Sequence, residues 1–342
     1  SRAGGDLATF EGHRARLLAL AYRMLGDVGR AEDVVQEAWV RWSGRETEAH
    51  SSVGFLVAIV TRLCLNELDS ARTRREESRG DRLPEPVALE DTPFHRVEAA
   101  EHLSMAFMVL LQRLTPAERA VLLLHDVLDY DHARIGALLG KTEGTSRKLL
   151  ERARGHVATE RRLLETSPEM HARLLEAFMR AAWTGDVVKL TSLLAPDAVL
   201  ITDGGPEGRR TTGIRNLTEP LLGAERIAAF VAFITSRTVG MLTAVVRRLN
   251  GQPAMVLYVD GKPFAAMLLG VAEDRVHRVF FHADTARLGH VGALEPSAPL
   301  VAGHGAVDEV RDQRTAEAAA RELPDDQDVH APMPHDREGP TR

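Results

Sequence analysis

The stretch Thr142-Glu143-Gly144-Thr145-Ser146-Arg147-Lys148 puts two cations and three hydroxyls at the start of a helix that Thr142 can cap. Side chains of these types, at that end of a helix, can reach base edges and phosphates in a DNA major groove. What precedes them has the matching form. Thr115, Pro116 and Glu118 spell a capping box with proline at the first helical position. A second helix around Ile135, Leu138 and Leu139 stops at Gly140, and the third carries Leu150, Ala153 and Val157 on one side. Three short helices punctuated in this way read as a helix-turn-helix, whose chemistry is nucleic-acid recognition.

Chemistry of another kind would have to come from Asp203, Tyr258, Asp260, His282 and Asp284, the candidate pocket groups of the C-terminal half. A general acid and base could be drawn from them. However, Asp260-Gly261 reads as a turn, as does Asp203-Gly204-Gly205, so backbone geometry accounts for both. His282 follows the apolar run Val279-Phe280-Phe281 as a strand-end or core histidine. The sequence has no metal-ligand spacing, phosphate loop or nucleophile elbow. Neither catalysis nor a cofactor or metal is expected.

The elements that must position these residues follow from the wider pattern. A chain of 342 residues suits two or three domains. Its net charge of −6 is unlike that of a protein that coats DNA, so any DNA contact must come from local basic patches. The lone Cys64 sits in the apolar pattern Val57, Val60, Cys64 and reads as a buried thiol. With one cysteine, no signal-peptide layout and no membrane-length apolar run, the expected location is cytoplasmic. Residues 7–75 are helical by period, with a helix over 53–75 whose inner face includes Phe55, Leu56, Ile59, Val60 and Leu63. Leu83-Pro84-Glu85-Pro86 and Pro93 then break the pattern as a linker, and a second helical block runs to Leu164. Helices over 170–184 and 224–236 accompany strands at 198–201, 241–246, 254–259, 265–271 and 276–281, with Asn250-Gly251 and Asp260-Gly261 as hairpin turns. This is an α+β domain with an antiparallel sheet. Beyond it the chain reads as a disordered tail, with 314–323 as a marginal helix.

In the first block, Ala31-Glu32-Asp33-Val34-Val35-Gln36-Glu37-Ala38-Trp39 presents acidic and amide groups beside an aromatic ring. This motif, followed by a basic-ended helix and a helix-turn-helix, resembles the bacterial sigma factors of the extracytoplasmic-function group over residues 10–164. The resemblance implies that Asp33, Gln36, Glu37 and Trp39 dock on the β′ coiled coil of RNA polymerase core. It implies that Arg62, Asn66, Arg72, Arg74 and Arg75 melt and read a −10 promoter element. Thr142, Glu143, Thr145, Ser146, Arg147 and Lys148 would then serve the −35 element. Asn66 stands where many relatives carry Asp, and Leu149 where many carry a basic residue.

About half the chain follows the recognition helix. The helix 170–184 leading into a sheet resembles the SnoaL-like, NTF2-related cone fold, found in a subgroup of these factors in place of a separate anti-sigma protein. Leu83-Pro84-Glu85-Pro86 resembles that subgroup's linker, and Asp203-Gly204-Gly205 its Asp-Gly-Gly loop; all seven are expected regulatory contacts. His282–Leu288 matches the subgroup's third motif poorly.

The expected protein is therefore multidomain: two separated all-α sigma-type modules, the second a helix-turn-helix, an α+β NTF2-like (SnoaL-like) cone and a disordered tail. The divisions are 5–82, a linker at 83–99, 100–164, 168–292 and 293–342. Expected partners are RNA polymerase core and promoter DNA, with room for a small-molecule ligand in the cone pocket and no membrane. Two other readings stay open: a small-molecule-sensing helix-turn-helix regulator (or a stand-alone repressor), and a SnoaL-like enzyme fused to a DNA-binding half.

Overall fold

The structure is a computed structural model that describes residues 2–44, 52–75, 82–89, 103–158, 160–164, 166–204, 210–211, 214–215, 217, 219–238 and 242–294. The expected tail beyond Leu294, the helix at 314–323, Pro93 and Gly205 lie outside the described residues.

Three helices open the fold: α1 (Arg2–Leu25), α2 (Val28–Ser43) and α3 (Ser52–Arg75). Asp27 starts α2 by accepting the Arg30 N–H at 2.9 Å. The apolar stripes Leu17, Leu18, Ala21 and Met24, Ala31, Val34, Val35 and Ala38, and Leu56, Val57, Val60 and Cys64 meet in the interior. Burial raises the Cys64 thiol pKa well above its ordinary value, which makes it inert.

Four more helices follow: α4 (Met105–Gln112), α5 (Pro116–Leu122), α6 (His132–Leu139) and α7 (Glu143–Ala158). The Thr115–Glu118 capping box is complete on both sides. α5 continues as a π-helical turn over Leu123–Val127, a feature with no sequence signal. Asp131 caps α6, and Gly140 ends it at φ 65°. Gly136 is held for another reason: a Cβ there would meet the Lys141 carbonyl oxygen at 2.7 Å, so α6 and the turn into α7 close only around glycine.

The two helical regions are not separated modules. Phe107, Met108, Leu111, Val121 and Leu124 join Leu17, Met24 and Leu56 in one core. The sequence suggested separation because each region has its own apolar period and a proline linker between them. Those periods are also wide enough for the regions to bury apolar surface against each other. Polar contacts follow the same seam: the Arg119 guanidinium donates to the Met24 carbonyl, and Arg62 Nε donates to the Leu138 carbonyl at 3.2 Å.

The last part comprises α8 (Pro168–Thr184), α9 (Val187–Leu193), β1 (Leu194–Asp203), β2 (Arg210–Thr211), β3 (Ile214–Arg215), β4 (Leu221–Leu222), α10 (Ala224–Thr238), β5 (Thr243–Leu249), β6 (Gln252–Val259), β7 (Lys262–Ala272) and β8 (Arg275–His282). The main sheet has the order β4-β1-β8-β7-β6-β5. Asn250-Gly251 and Asp260-Gly261 take positive φ at both positions, which suits two-residue hairpins. The sheet is mixed rather than antiparallel, because β1 pairs with β8 in parallel. The hairpins force β5 to β8 to alternate, but β1 reaches β8 through a long crossover carrying α10, which permits the parallel direction. The architecture is the NTF2-like cone. One face of the sheet packs on α8, α9 and α10; the other packs on Leu83, Ala88, Met105, Ala106 and Leu163.

Candidate functional site

The linker runs buried from Leu83 to Leu89 between the α1–α2 corner and the second face of the sheet. Proline-fixed extended backbone cannot bond to itself, so its polar groups find partners on both sides. On the α1–α2 side, Glu85 N donates to the Gly26 carbonyl at 2.8 Å, Tyr22 Oη donates to the Glu85 carbonyl at 2.6 Å, and Val28 N donates to Glu85 Oε2 at 2.8 Å. The Glu85 carboxylate thereby binds the N-terminus of α2, where a negative charge is favoured. Gly26, at φ 70°, packs against Pro84, with only 3.6 Å between a notional Cβ and the proline Cα.

From the cone, Asn250 and Val87 exchange two hydrogen bonds, Asn250 N to the Val87 carbonyl at 2.8 Å and Val87 N to Asn250 Oδ1 at 3.0 Å. Asn250 Nδ2 also donates to Tyr22 Oη at 2.7 Å. Ala88 N donates to the His290 carbonyl, and His290 Nδ1 lies 2.9 Å from Glu85 Oε1. The hydrogen bond to Glu85 raises the His290 pKa above the ordinary imidazole value, outweighing its partial burial. Arg287 Nη1 donates to both the Leu83 carbonyl and Asp203 Oδ2 at 2.7 Å, and Nη2 reaches the Gly26 carbonyl at 3.3 Å. Three segments far apart in sequence converge on one guanidinium.

The second helical region is held in the same manner. Gln252 Oε1 accepts the Met105 N–H at 3.2 Å, at the N-terminus of α4. Glu160 accepts from Arg113 at 2.7 Å and from Arg278 of β8 at 2.8 Å. Burial opposes ionisation of Glu160, but these two guanidinium hydrogen bonds leave its pKa lowered. Tyr22, Gln252 and His290 carry no sequence signal for these roles, and Arg287 is marked only as part of the poorly matching stretch His282–Leu288. The Asn-Gly turn signal located Asn250 but said nothing of its side chain.

The residues assigned from the sequence take these places. Asp33, Gln36 and Glu37 are exposed on α2, with Glu37 paired to Arg41 at 2.8 Å, and Trp39 is half-buried against Phe10 with ring centroids 5.0 Å apart. Arg62 and Asn66 are exposed on α3, Arg62 with its bond to Leu138. Arg72, Arg74 and Arg75 fall in the last turns of the same helix. Thr142 accepts the Thr145 N–H as the cap of α7, and Glu143 pairs with Arg147; these four and Lys148 are exposed. Ser146 differs. It is 1% exposed and lies 3.0 Å from His132 Nδ1, so it joins α6 to α7 and is not on the exposed face that carries Thr145, Arg147 and Lys148. Leu83, Pro84, Glu85 and Pro86 are all in the buried linker. Asp203 binds Arg287, and Gly204 is buried beside it.

The pocket groups need correction. The cavity of the cone is lined by α8, α10 and the first sheet face, and none of Asp203, Tyr258, Asp260, His282 or Asp284 lines it. Asp203 and His282 are register partners on β1 and β8 and alternate with the cavity-lining Leu200 and Phe281. They therefore point to the opposite face, towards Arg287. Burial, reinforced by Arg287, holds the His282 pKa down at about 3. Asp284 caps the turn Thr285–Arg287, and Asp260 occupies its hairpin.

A helix-turn-helix packed on a further helical region, with a buried linker and an added C-terminal cone, is the architecture of a transcription factor. Comparison with known proteins gives the family. Residues 9–74 match the Sigma-70 region 2 model, and residues 104–157 match Sigma-70, region 4. The chain is 36% identical over 236 residues to ECF RNA polymerase sigma factor SigJ of Mycobacterium tuberculosis, spanning 68% of this chain and 74% of that protein. It is 30% identical over 318 residues to ECF RNA polymerase sigma factor SigG of the same organism, spanning 83% and 82%. The crystal structure of M. tuberculosis SigJ matches with a TM-score of 0.66 at 28% identity, over 83% of this chain and 98% of that one. The chain belongs to the extracytoplasmic-function RNA polymerase sigma factors. No helix among the described residues is long and apolar enough to cross a membrane.

Proposed function

We propose that this sigma factor is held inactive by its own cone, which grips the linker and keeps the two sigma regions packed together. The observation that carries the reading is the burial of the linker between Tyr22, Val28 and Gly26 on one side and Asn250, Arg287 and His290 on the other. Elements at −10 and −35 lie about 25 base pairs apart, on the order of 85 Å of B-DNA. Here α3 touches α5 and α5 touches α7, so the two DNA-reading helices stand roughly 20 Å apart, about two helix diameters. The compact arrangement cannot span a promoter.

In the released form, Asp33, Gln36, Glu37 and Trp39 bind the β′ coiled coil of RNA polymerase core. Arg62, Asn66, Arg72, Arg74 and Arg75 engage the −10 element, and Thr142, Glu143, Thr145, Arg147 and Lys148 the −35 element. Leu83 to Pro86, Asp203 and Gly204 form the regulatory contact. The cone acts as a regulator rather than an enzyme, because none of its ionisable candidates lines the cavity and Asp203 serves the clamp through Arg287. In vitro transcription tests this with the full chain, Arg287→Ala, and chains ending at Gly292 and at Leu164. Arg287→Ala and the Leu164 chain should give several-fold more promoter-specific transcript than the other two. Equal output from all four removes the proposal.

A further inference from the structure

The cone holds a partly open cavity of about 100 Å³, several times the space that one water needs. Its walls include Phe178 of α8, Phe230 and Ile234 of α10, and Met255, Met267 and Phe281 of the sheet. Among the described lining residues none carries a charged or titratable group; the polar atoms are the Trp183 indole and the hydroxyls of Thr235 and Thr238. A reaction site would gather ionisable groups, and a site for an ionic ligand would have to offset its desolvation with a counter-charge. This cavity has neither.

The two threonines narrow the chemistry further. Thr235 donates its proton to the Val231 carbonyl at 2.8 Å and Thr238 to the Ile234 carbonyl at 3.0 Å. Each hydroxyl is left with acceptor lone pairs and no free proton, so it favours a ligand donor. Methionines in the wall let it adapt to a ring or a chain. The far side of the same sheet faces the linker. Met255 pairs with Met267 and Met267 with Phe281 on the cavity side, while their neighbours Ala254, Leu268 and Phe280 pair in the adjoining row and pack with Leu83, Ala88 and Met105. One layer of strands separates the cavity from the clamp.

We propose that the cone binds a neutral, mainly hydrocarbon small molecule carrying a single hydroxyl or N–H donor directed to Thr235 or Thr238, and that occupancy alters the grip on the linker. The second half rests on the clamp reading above; the first does not. N-phenyl-1-naphthylamine is a suitable probe, being neutral and aromatic with one N–H. On the full chain its fluorescence should rise saturably with one site per chain. 8-Anilinonaphthalene-1-sulfonate, a close relative bearing an anion, should bind at least tenfold more weakly. Ala265→Trp, which fills the cavity, should weaken the neutral probe at least tenfold, and Thr238→Val several-fold. The sulfonate comparison uses the unaltered chain, so it stands even where a variant fails to fold. No saturable binding, or equal affinity for the sulfonate, overturns the site. Amide exchange at Glu85 and Val87 should change at least threefold on saturation with the neutral probe; binding with unchanged exchange overturns the coupling and leaves the site.

Discussion

Val28 donates its backbone N–H to the carboxylate of Glu85 at 2.8 Å, so a linker residue completes the first turn of the helix that carries Asp33 and Glu37. The same carboxylate meets His290 of the cone. One side chain thus joins the start of α2 to the cone, beside the Asp27 cap and the Asn250 and Arg287 contacts.

Glu85→Ala removes both contacts and leaves the Val28 N–H buried without its acceptor. The expected loss is about 3 kcal/mol of stability, since hydrogen bonds to charged groups are the stronger kind. Urea denaturation of the full chain measures it, and a change below about 0.5 kcal/mol would show that the contact is incidental.

The clamp should loosen as pH rises. A partner that raises a histidine's folded pKa favours the protonated ring, so the His290 contribution is complete below about 6.5 and fades as pH climbs through the higher folded value. His282 acts in the opposite sense: its folded pKa is about 3, so its contribution is full above about 6.5 and is lost as pH falls from there towards 3. Thermal melts from pH 5 to 9 should lose the alkaline slope in His290→Gln. An unchanged slope would assign it elsewhere.

Asp33→Lys combined with Glu37→Lys should weaken core polymerase binding at least tenfold, about 1.4 kcal/mol. Both residues are exposed, so the melting temperature should stay within a degree or two. Undiminished binding in a pull-down with core would defeat the assignment of α2.

On α7, neighbouring residues should behave differently. Lys148→Ala should weaken promoter binding and lower the salt slope by about 0.9 if it contacts one phosphate. Ser146→Ala should instead lower stability by about 1 kcal/mol through the lost His132 bond and leave the slope unchanged. A slope change in Ser146→Ala would return that residue to the DNA face.

Gly136→Ala should destabilise the helix-turn-helix by about 1–3 kcal/mol, because the new methyl meets the Lys141 carbonyl at 2.7 Å. Circular-dichroism melts would detect it; a melt like that of the unaltered chain would mean the turn shifts freely.

What the sequence disclosed was local. Thr115 and Gly140 announce helix ends because capping involves residues within four positions of each other, and Asn250-Gly251 announces a hairpin for a similar reason. Pairing across the chain left no such mark. Tyr22 and Asn250 are 228 positions apart, and neither type carries a signal for the other. Two placements that the structure revises had readable signals. Extending the Leu150–Ala153 stripe back one turn reaches Ser146, and the two-residue period of β8 sets His282 apart from Val279 and Phe281. The parallel pairing of β1 with β8 had none, since it depends on where a long crossover returns.

If release parts the two sigma regions as proposed, their common interior would limit the lifetime of the freed factor. Parting them wets Phe107, Met108, Leu111 and their counterparts on α1 and α3. A liberated molecule that meets no polymerase therefore exposes sticky surface, inviting proteases or self-association. Activation would be brief unless core enzyme is at hand, so the supply of vacant polymerase, as well as the releasing signal, would set how many promoters fire.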